Sequence, residues 1–417
     1  MLRWSARLLG KHLLPLLFFS FVAHFTWAQS ETATLSGQVV DPSGLNITGA
    51  QVKLVDIDRD TAVSVSTNST GLYTFPSVRP GRYRMEVVAP GFKVVNVTGV
   101  TVNVQDHLEQ NFKLVVGSIS ESITVEGGAS LVDTESATVS TVVDRNFAEN
   151  LPMNGRSFQT LIELTPGVVL TATNPQDSGQ FSVNGQRAAS NYWMVDGVSA
   201  NIGMGPGAPG NGTGGALGSF SVLGGTNSLV SVDALQEFRI QTSTYAPEFG
   251  RTPGGQISIV TRSGTNQFHG TLFDYLRNDV FDANNWFNGI NILNVTPIPK
   301  PKERQNDFGG TFSGPIFKDR TFFFFSYEGL RLRSPQTTLT TVPDLLARQT
   351  AVAAMQPFLN AFPFDPKQPD LGNGIAQFNA SYSNPATLDA YSLRIDHKLT
   401  EKFNIFGGQG WKALEML

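Results

Sequence analysis

The chain of 417 residues contains no cysteine, which excludes disulfides and thiolate metal sites. Charged residues make up only 15% of the sequence, fewer than a soluble surface usually carries. The formal net charge is -4, and the sequence shows no basic cluster of the kind that nucleic-acid binders use. Beyond the N-terminal region, no apolar run approaches the ~20 residues that a membrane-spanning helix needs. These absences exclude a helical membrane protein and argue against a nucleic-acid partner.

Catalytic patterns are also missing. The sequence holds no HExxH, GxSxG, Walker A or EF-hand pattern. Asp56, Asp58 and Asp60 alternate as calcium ligands do, but the glycine and the distal glutamate of a calcium loop are absent, so a solvated strand edge is the better interpretation. The histidines beyond the N-terminal region are far apart and are interpreted as surface or membrane-interface residues: His107, His269 and His397. We therefore predict that the chain is not an enzyme and needs no cofactor or metal.

The abundant residues indicate β structure. The sequence has 41 glycines and 30 phenylalanines, and this composition, rich also in Thr, Ser and Asn, is typical of strands joined by many turns. The length suits two to four domains. At the N-terminus, basic residues precede an apolar run over 13–23, and Ala28 stands before a candidate cleavage point. This pattern predicts a signal peptide over residues 1–28 and an exported protein.

Residues 32–116 have the pattern of a small β-sandwich. Short alternating segments are separated by turn sequences such as Asp41-Pro42-Ser43-Gly44 and Arg79-Pro80-Gly81. About seven strands with regular turn signals are typical of a sandwich. The candidate strands cover 34–40, 50–56, 61–66, 72–75, 82–89, 94–97, 100–104 and 110–116.

Several motifs of this region match a known family in order and spacing. They are Leu35-Ser36-Gly37-Gln38-Val39-Val40-Asp41, Gly49-Ala50-Gln51-Val52, Thr70-Gly71-Leu72-Tyr73, Pro80-Gly81-Arg82-Tyr83 and Ala89-Pro90-Gly91-Phe92. Through them, residues 29–117 resemble a carboxypeptidase regulatory-like domain. The resemblance implies a transthyretin-like sandwich, grouped with carbohydrate-binding folds. It implies no peptidase, since a zinc peptidase needs several converging ligands and His107 is the only histidine of the module. The module is interpreted as a binding or spacer domain, with sugar binding as a family-level expectation.

A short extended segment follows within a linker over 118–130. It is β-prone and lies between Gly117 and Gly127-Gly128, as a strand must if it is to join the sheet of another protein. The segment resembles the Ton box of TonB-dependent receptors, which a TonB-type energy-transducing protein grips. The resemblance implies a partner-binding site formed by Glu121, Ser122, Ile123, Thr124 and Val125. The alternative is that the segment is the last strand of the sandwich or a plain linker.

Residues 131–265 combine short helices with strands. Apolar side chains at helical spacing predict helices over 143–151 and 157–164. Asn184-Gly185 and Asp196-Gly197 predict tight turns. The matching motifs are Leu151-Pro152-Met153-Asn154-Gly155-Arg156-Ser157-Phe158, Leu164-Thr165-Pro166-Gly167-Val168, Phe181-Ser182-Val183-Asn184-Gly185-Gln186-Arg187 and Tyr192-Trp193-Met194-Val195-Asp196-Gly197-Val198. With these motifs the region resembles the α+β plug domain of Oar-like TonB-dependent receptors.

A glycine-rich loop over 203–225 contains a formal GxGxxG at 205–210. A dinucleotide site needs a strand before this pattern and a helix after it, and neither is predicted here. Pro206 and Pro209 also lack the N–H groups that a pyrophosphate would use. The loop is interpreted as a plug loop on the extracellular side.

The stretch from Leu235 to Arg277 separates soluble β-rich modules from later segments whose alternation suits a wall between lipid and water. Residues 256–261 predict a strand buried on one face, and 262–266 turn the chain. In the following strand, 270–277, the side chains of Thr271, Phe273 and Tyr275 share one face and those of Leu272, Asp274 and Leu276 share the other. Such alternation with aromatics is typical of transmembrane β-strands.

Further segments continue this pattern. A hairpin is predicted from 307–316 and 321–328, with Phe308, Phe312, Phe322, Phe324 and Tyr327 at lipid-facing or membrane-interface positions. A proline-rich stretch over 330–384 suits an extracellular loop. Strands are predicted over 391–396 and from 404, whereas 409–417 looks helical. The motifs Asp274-Tyr275-Leu276-Arg277-Asn278-Asp279 and Phe281-Asp282-Ala283-Asn284-Asn285-Trp286-Phe287 resemble the start of an Oar-like barrel, so 266–417 is interpreted as a partial outer-membrane β-barrel.

The resemblance covers roughly residues 33–407 and implies a mainly β, TonB-dependent outer-membrane receptor or transporter with a periplasmic N-terminal domain. The implied partners are a TonB-type protein, outer-membrane lipid and an unidentified ligand such as a saccharide or oligomeric nutrient. A plugged barrel has ~22 strands, and about five are predicted here. Because open strand edges in hydrocarbon leave unsatisfied backbone groups, we expect a truncated or frameshifted reading frame. The alternative is a non-transporting periplasmic or surface module that binds glycans.

Overall fold

The computed structural model describes residues 32–126, 136–151, 159–170, 181–187, 190–200, 230–245, 249, 252–284, 300, 302–400 and 404–416. The predicted signal peptide, the glycine-rich loop with its GxGxxG and most of the motif that begins at Leu151 lie outside these residues. The described chain is mainly β, as predicted, with a few short helices. None of the helices in the described ranges is long and apolar enough to span a membrane.

The N-terminal domain is a sandwich of two sheets. One sheet has the order β4-β1-β7 with β8 also paired to β1, and the other has the order β3-β2-β5-β6-β9. Every second residue of β1 is buried, because strand side chains alternate between the core and solvent. The strands are β1 Ala33–Val40, β2 Gln51–Asp56, β3 Thr61–Ser66, β4 Leu72–Val78, β5 Gly81–Val88, β6 Val94–Val102, β7 His107–Glu109, β8 Phe112–Lys113 and β9 Ser122–Glu126.

Two of the predicted strand boundaries in the sandwich are wrong. The segments predicted over 94–97 and 100–104 form the single strand β6, which passes through Gly99 at φ 77° with a register shift. Glycine adopts this conformation without steric cost, so the ladder continues past it. The segment predicted over 110–116 instead contributes to β8, which pairs with β1 in parallel.

The middle domain is an α+β unit around a five-stranded sheet of order β10-β15-β16-β13-β14, with β11 and β12 paired separately. Asp144 caps the first helix, since its carboxylate accepts the N–H of Phe147 at 3.0 Å. Both predicted turns are confirmed by positive φ angles at each of their residues. The elements are β10 Val139–Asp144, α1 Arg145–Asn150, α2 Gln159–Ile162, β11 Val168–Leu170, β12 Phe181–Val183, β13 Tyr192–Val195, β14 Val198–Ser199, β15 Leu235–Ser243 and β16 Gln256–Thr261.

Strand β16 is buried on both faces, whereas the sequence predicted burial on one. Ile257 and Ile259 belong to the apolar core of the domain. The polar face is covered as well, because Ser258 is 1% exposed and accepts a hydrogen bond from the sandwich domain. Polar alternation in the sequence predicted solvent on this side, and the neighbouring domain takes that place.

The third unit is a sheet of long antiparallel strands in the order β17-β18-β19-β21-β20, with β22 also paired to β21. Among the described residues, β17 and β22 each pair with one neighbour only, so this sheet is open. Residues 404–416 form β22, and the helix predicted over 409–417 is therefore wrong, because cross-strand pairing with β21 overrides local preference. The strands are β17 His269–Asn278, β18 Arg304–Phe317, β19 Thr321–Pro343, β20 Asp370–Gly372, β21 Ile375–Lys398 and β22 Asn404–Met416.

The predicted extracellular loop over 330–384 is largely strand. The pairing of β19 with β21 runs without a break from Thr321 opposite His397 to Pro343 opposite Ile375. Two short helices, α3 Leu345–Thr350 and α4 Gln356–Asn360, lie in the connection at its tip. The loop was predicted because this stretch is rich in proline. In the structure one proline stands at the strand end and others lie within the two-strand ribbon, and the pairing of β19 with β21 continues through them.

The faces of the long sheet differ from the prediction in one respect. Phe312 is 51% exposed, and Phe308 and Tyr327 are partly exposed on the same outer face, as predicted for lipid contact. Phe322 and Phe324 instead lie on the inner face, 3% and 1% exposed, and Phe324 packs into the core of the middle domain. The run from Phe322 to Phe325 is apolar at every position, so its periodicity could not assign the faces. The outward rings of this run are those of Phe323 and Phe325.

Candidate partner-binding strand and its junctions

The structure brings the five predicted site residues together at one edge of the sandwich. Ser122 to Val125 lie in β9, which pairs in parallel with β6, Ile123 opposite Val95 and Val125 opposite Val97. Glu121 precedes the strand and is fixed at both ends: its carbonyl accepts the N–H of Val94 at 3.0 Å, and its carboxylate meets Lys93 Nζ at 2.6 Å. The place of the segment is therefore that of a last sandwich strand, and its partner-binding role stays a prediction.

The outer edge of β9 has no strand beside it in the described part of the chain. Ser122 and Thr124 are exposed, and Val125 is 48% exposed although it lies on the side of the sandwich core. An exposed edge strand with small polar side chains offers its backbone groups to another chain. The geometry thus permits strand addition at this edge.

The loop after β6 forms a buried polar junction with the middle domain. Gln105, at φ 57°, donates from Nε2 to Ser258 Oγ at 2.9 Å and accepts from Gln241 Nε2 at 3.0 Å. Asp106 pairs with Arg239 of β15, and both side chains are more than nine-tenths buried. The loop itself is held by Asp106, whose second oxygen accepts the backbone N–H of Asn103 at 2.8 Å. The sandwich is therefore docked on the sheet of the middle domain.

Among the carboxyl groups of this junction, Glu237 has the most strongly shifted pKa. Burial, with smaller contributions from the carboxylates of Asp106 and Asp144, raises the pKa of Glu237 to about 8, against the opposing effects of the Val104 N–H and of Arg239. Its Oε1 accepts the N–H of Val104. A group with this pKa is largely protonated at neutral pH, which spares the junction an uncompensated buried charge.

A second junction joins the middle domain to the long sheet. Arg394 of β21 donates to Asp196 Oδ1 at 2.8 Å and to the carbonyl of Thr261 at 3.1 Å. Asp196 in turn accepts the N–H of Thr261 at 2.9 Å, so the Asp196-Gly197 turn is fixed against the end of β16. Arg262 lies over the ring of Phe324, with Cζ 5.3 Å from its centroid.

The same cluster reaches the sandwich through Asp396, whose side chain is 1% exposed. Arg394 Nε lies 3.1 Å from Asp396 Oδ2, and Arg79 of the sandwich donates to Asp396 Oδ1 at 2.9 Å. Arg79 and Arg394 both lie over the ring of Phe406, at 5.7 Å and 4.6 Å. Three units of the protein therefore meet at one chain of alternating charges.

The turn predicted over 262–266 adds a third contact between units. Asn266 donates to the carbonyl of Arg59 in the sandwich at 2.6 Å and to Asp319 Oδ1 in the β18–β19 turn at 2.6 Å. Two of the three aspartates considered for calcium pair with arginines: Asp56 with Arg59 at 2.6 Å and Asp58 with Arg82 at 2.6 Å. No group of three or more potential metal ligands occurs among the described residues.

Sequence reasoning missed Arg394, Asp396 and Arg79. The available signal was that Arg394 and Asp396 occupy alternate positions of the strand, with Leu393 and Ile395 on the opposite face, which places both charges on one face. A charged pair inside a membrane sheet must face away from lipid, so this spacing could have marked an inward contact. Their partners, 198 and 317 residues away, are not readable from local pattern.

Comparison with known proteins agrees with this organisation. Residues 34–115 match the carboxypeptidase regulatory-like domain, and residues 260–413 match the outer membrane beta barrel domain. The chain therefore resembles outer-membrane β-barrel proteins over its C-terminal part and carboxypeptidase regulatory-like domains over its N-terminal part. The chain is a homologue of the TonB-dependent transporter Oar of Myxococcus xanthus, with 27% identity over 317 residues, which is 72% of this chain and 27% of the length of Oar.

Solved receptor structures show a weaker likeness. The siderophore receptor PirA of Acinetobacter baumannii has 15% identity and a TM-score of 0.40, with 67% of this chain and 32% of that chain covered. The ferric enterobactin receptor PfeA of Pseudomonas aeruginosa has 14% identity and a TM-score of 0.39, covering 68% and 34%. Such TM-scores are too low to carry an assignment, which depends on the domain matches and on Oar. The chain spans about a third or less of the length of each of these proteins.

Proposed function

We propose that the chain forms the N-terminal part of a TonB-dependent outer-membrane transporter or receptor, with β9 as the strand that a TonB-type protein grips. The middle domain is its plug, and the long sheet is a segment of the barrel wall. The observation that carries the proposal is the packing of the plug sheet on the inner face of the barrel sheet, through Phe324 and the Arg394–Asp196 pair.

The chain order gives the strand a mechanical route to the plug. β9 ends at Glu126, and β10 begins at Val139 as an edge strand of the plug sheet. Once β9 has separated from β6, a pull on it is carried through residues 127–138 to β10 and its antiparallel pairing with β15. An edge strand pairs with one neighbour, so its separation breaks the hydrogen bonds of a single ladder. It is therefore the strand of the plug sheet that separates most readily.

The polar junction between plug and barrel suits reversible release. Its contacts are hydrogen bonds and ion pairs that water can replace, and so plug movement exchanges protein partners for solvent. The transported ligand is not assigned by any residue in the described chain. The alternative from the sequence, a non-transporting periplasmic or surface module that binds glycans, is not favoured by the match of residues 260–413 to an outer membrane beta barrel domain.

The test is a site-directed crosslink in cells that carry the full chain. Thr124→Cys places one thiol on β9, and the protein has no other cysteine. Ser64→Cys, on the opposite edge strand of the same sheet, is the matched control. We expect a crosslink to the TonB-type protein from position 124 and none from position 64. Equal crosslinking, or none from either, would refute the assignment of β9.

A further inference from the structure

One face of the sheet in the middle domain carries five polar side chains and is nevertheless covered. They come from alternate positions of β15 and β16, and each is at most 5% exposed: Glu237, Arg239, Gln241, Gln256 and Ser258. The loop after β6 of the sandwich lies on this face. Gln105 of that loop bonds to Gln241 and to Ser258, and Asp106 pairs with Arg239. The sandwich therefore shields from water side chains of a kind that proteins mostly leave exposed.

The hydrogen-bonding capacity of this covered face is only partly used. Among the described residues, three of its buried atoms have no hydrogen-bond partner: Oε1 of Gln241, Oε1 of Gln256 and Nε of Arg239. Burial of a polar atom without a partner costs free energy, which hydration returns when the face is uncovered. Permanent interfaces are more apolar than this one, and polar interfaces between domains permit relative movement. The contact therefore has the composition of a surface that is alternately covered and hydrated.

The sandwich also contacts the long sheet, at the strand ends nearest the β18–β19 turn. Arg79 donates to Asp396 Oδ1 at 2.9 Å, and the Asp396 side chain is 1% exposed. The backbone N–H of Asn266 donates to the carbonyl of Asp58 in the sandwich at 3.2 Å. The side chain of the same Asn266 bonds to Asp319 in the β18–β19 turn. The sandwich thus contacts the middle domain and the end of the long sheet at the same time.

We propose that the sandwich is a removable cap on the periplasmic side of the plug. When docked, the cap ties the plug sheet to the rim of the barrel wall; when it leaves, the polar face of that sheet is hydrated. The cap moves as one body, because its apolar core is formed by its own residues alone. Because it holds plug and wall together, it leaves before the plug moves. The terms plug, wall and periplasmic side rest on the proposed function, whereas the docking face is separate from the outer edge of β9.

Thiol labelling of the purified full chain in detergent tests whether the cap leaves while the middle domain stays folded. Ser258→Cys places a thiol beneath the cap, and Ile259→Cys places one in the apolar core on the other face of the same strand. The probe is a water-soluble maleimide. We expect Ser258→Cys to be labelled at least about tenfold faster than Ile259→Cys, because departure of the cap uncovers only the first position. Gln256→Cys, on the same face as Ser258, should repeat the result.

A substitution at the long sheet tests whether both contacts belong to one moving body. In the Ser258→Cys protein, Arg79→Met removes the ion pair with Asp396 and should accelerate labelling several-fold, although that pair lies on the long sheet and not on β16. Arg82→Met is the matched control, because the ion pair it removes lies within the sandwich and the Arg82 side chain is 68% exposed. Its labelling rate should be unchanged. Arg79→Met should leave Ile259→Cys as slow as before.

Two results in detergent would overturn the cap: labelling of Ser258→Cys no faster than of Ile259→Cys, or equal acceleration by Arg79→Met and Arg82→Met. Neither depends on β9, whose role the crosslink from position 124 decides. In cells that carry the full chain, Ser258→Cys should be labelled faster when the TonB-type protein is present than when it is deleted. Equal rates together with a crosslink from position 124 would refute cap removal and leave the proposed function standing. Without that crosslink the proposed function fails, and the detergent assay still decides whether the sandwich leaves the middle domain.

Discussion

Arg394 of the long sheet and Asp196 of the middle domain form an ion pair of 2.8 Å although 198 residues separate them in the chain. Arg394 is 8% exposed, and its other bonds go to Thr261 and Asp396. A guanidinium in this position bonds to a turn of the middle domain, to the end of strand β16 and to a neighbouring carboxylate together. Its planar fork of five donors suits such a site in a way that lysine does not.

Removal of this guanidinium should loosen the plug. Arg394→Met leaves Asp196 and the buried Asp396 short of a partner, and breaking a buried pair in this way typically costs about 3–5 kcal/mol. We expect a loss of that order in the free energy of unfolding, measured by urea titration of the purified chain in detergent. Arg331→Met is the matched control, because the Arg331–Asp389 pair is largely exposed and should be worth about 0–1 kcal/mol. Equal losses for both variants would contradict a special role for Arg394.

The junction between the sandwich and the middle domain should weaken as pH rises. The folded pKa of Glu237 is about 8 against an ordinary value of 4.5, so the folded state holds the proton more tightly than the unfolded state. Stability from this group is complete below about pH 4.5 and is lost as pH rises through 8, with an upper bound on the order of 5 kcal/mol. The melting temperature of the wild type should fall across this interval.

Glu237→Gln should remove most of that dependence, because the amide cannot ionise and its oxygen still accepts the Val104 N–H. The comparison is of melting temperatures at pH 5, 7 and 9 for both proteins. Glu149→Gln, which removes a half-exposed carboxylate of α1, is the control substitution. A wild-type slope that persists in Glu237→Gln would show that another group is responsible.

A side chain at position 309 should disrupt the barrel sheet. A Cβ there would lie 2.2 Å from the carbonyl oxygen of Tyr327 and 2.9 Å from the ring of Phe273. Because the first of these is backbone, Gly309→Ala must shift β19 relative to β18, at a cost of about 1–3 kcal/mol. Gly407→Ala, which meets nothing within 4 Å, should be neutral. The melting temperatures of the two variants distinguish them. An unchanged melting temperature for Gly309→Ala would show that the two strands accommodate the added methyl group without loss of stability.

Adjacent residues of β19 should sense different surroundings in the outer membrane. Phe325 is on the outer face, 39% exposed, and Ser326 is on the inner face, 3% exposed. A nitroxide on Phe325→Cys should collide with oxygen dissolved in the bilayer, and one on Ser326→Cys should be shielded from it. The measurement is power saturation in outer-membrane vesicles. The reverse order of accessibility would invert our assignment of the sheet faces.

Local sequence patterns predicted the elements well and their surroundings less well. Thr61–Ser66 and the turns at Asn184-Gly185 and Asp196-Gly197 were readable, because alternation and positive-φ residues act over a few positions. The inward placement of Phe322 and Phe324 was not, since a continuous apolar run has no period. The strand at 409–416 was missed because the ladder with β21 decides it.

At the candidate site, too, the local conformation was predictable from the sequence and the distant contacts were not. The sequence marked Glu121–Val125 as an exposed, strand-forming segment, and the structure confirms its β conformation. Its pairing with Val94–Thr98 could not be foreseen, since any strand edge of the sandwich has the same backbone pattern. The Gln105 contacts with Ser258 and Arg239 join residues 153 and 134 positions apart, and such distant partners are set by tertiary packing.

The length of the ribbon formed by β19 and β21 predicts which part of the protein is accessible from outside the cell. Its 23 paired positions far exceed the roughly 9–11 residues that a strand needs to cross a bilayer. In the orientation that the proposed function requires, the tight 318–320 turn lies at the periplasmic end, and more than half of the ribbon would extend into the medium and end in α3 and α4. A peptide tag inserted near Ala353 should thus be recognised by an antibody on intact cells, whereas the plug beneath would stay hidden from it.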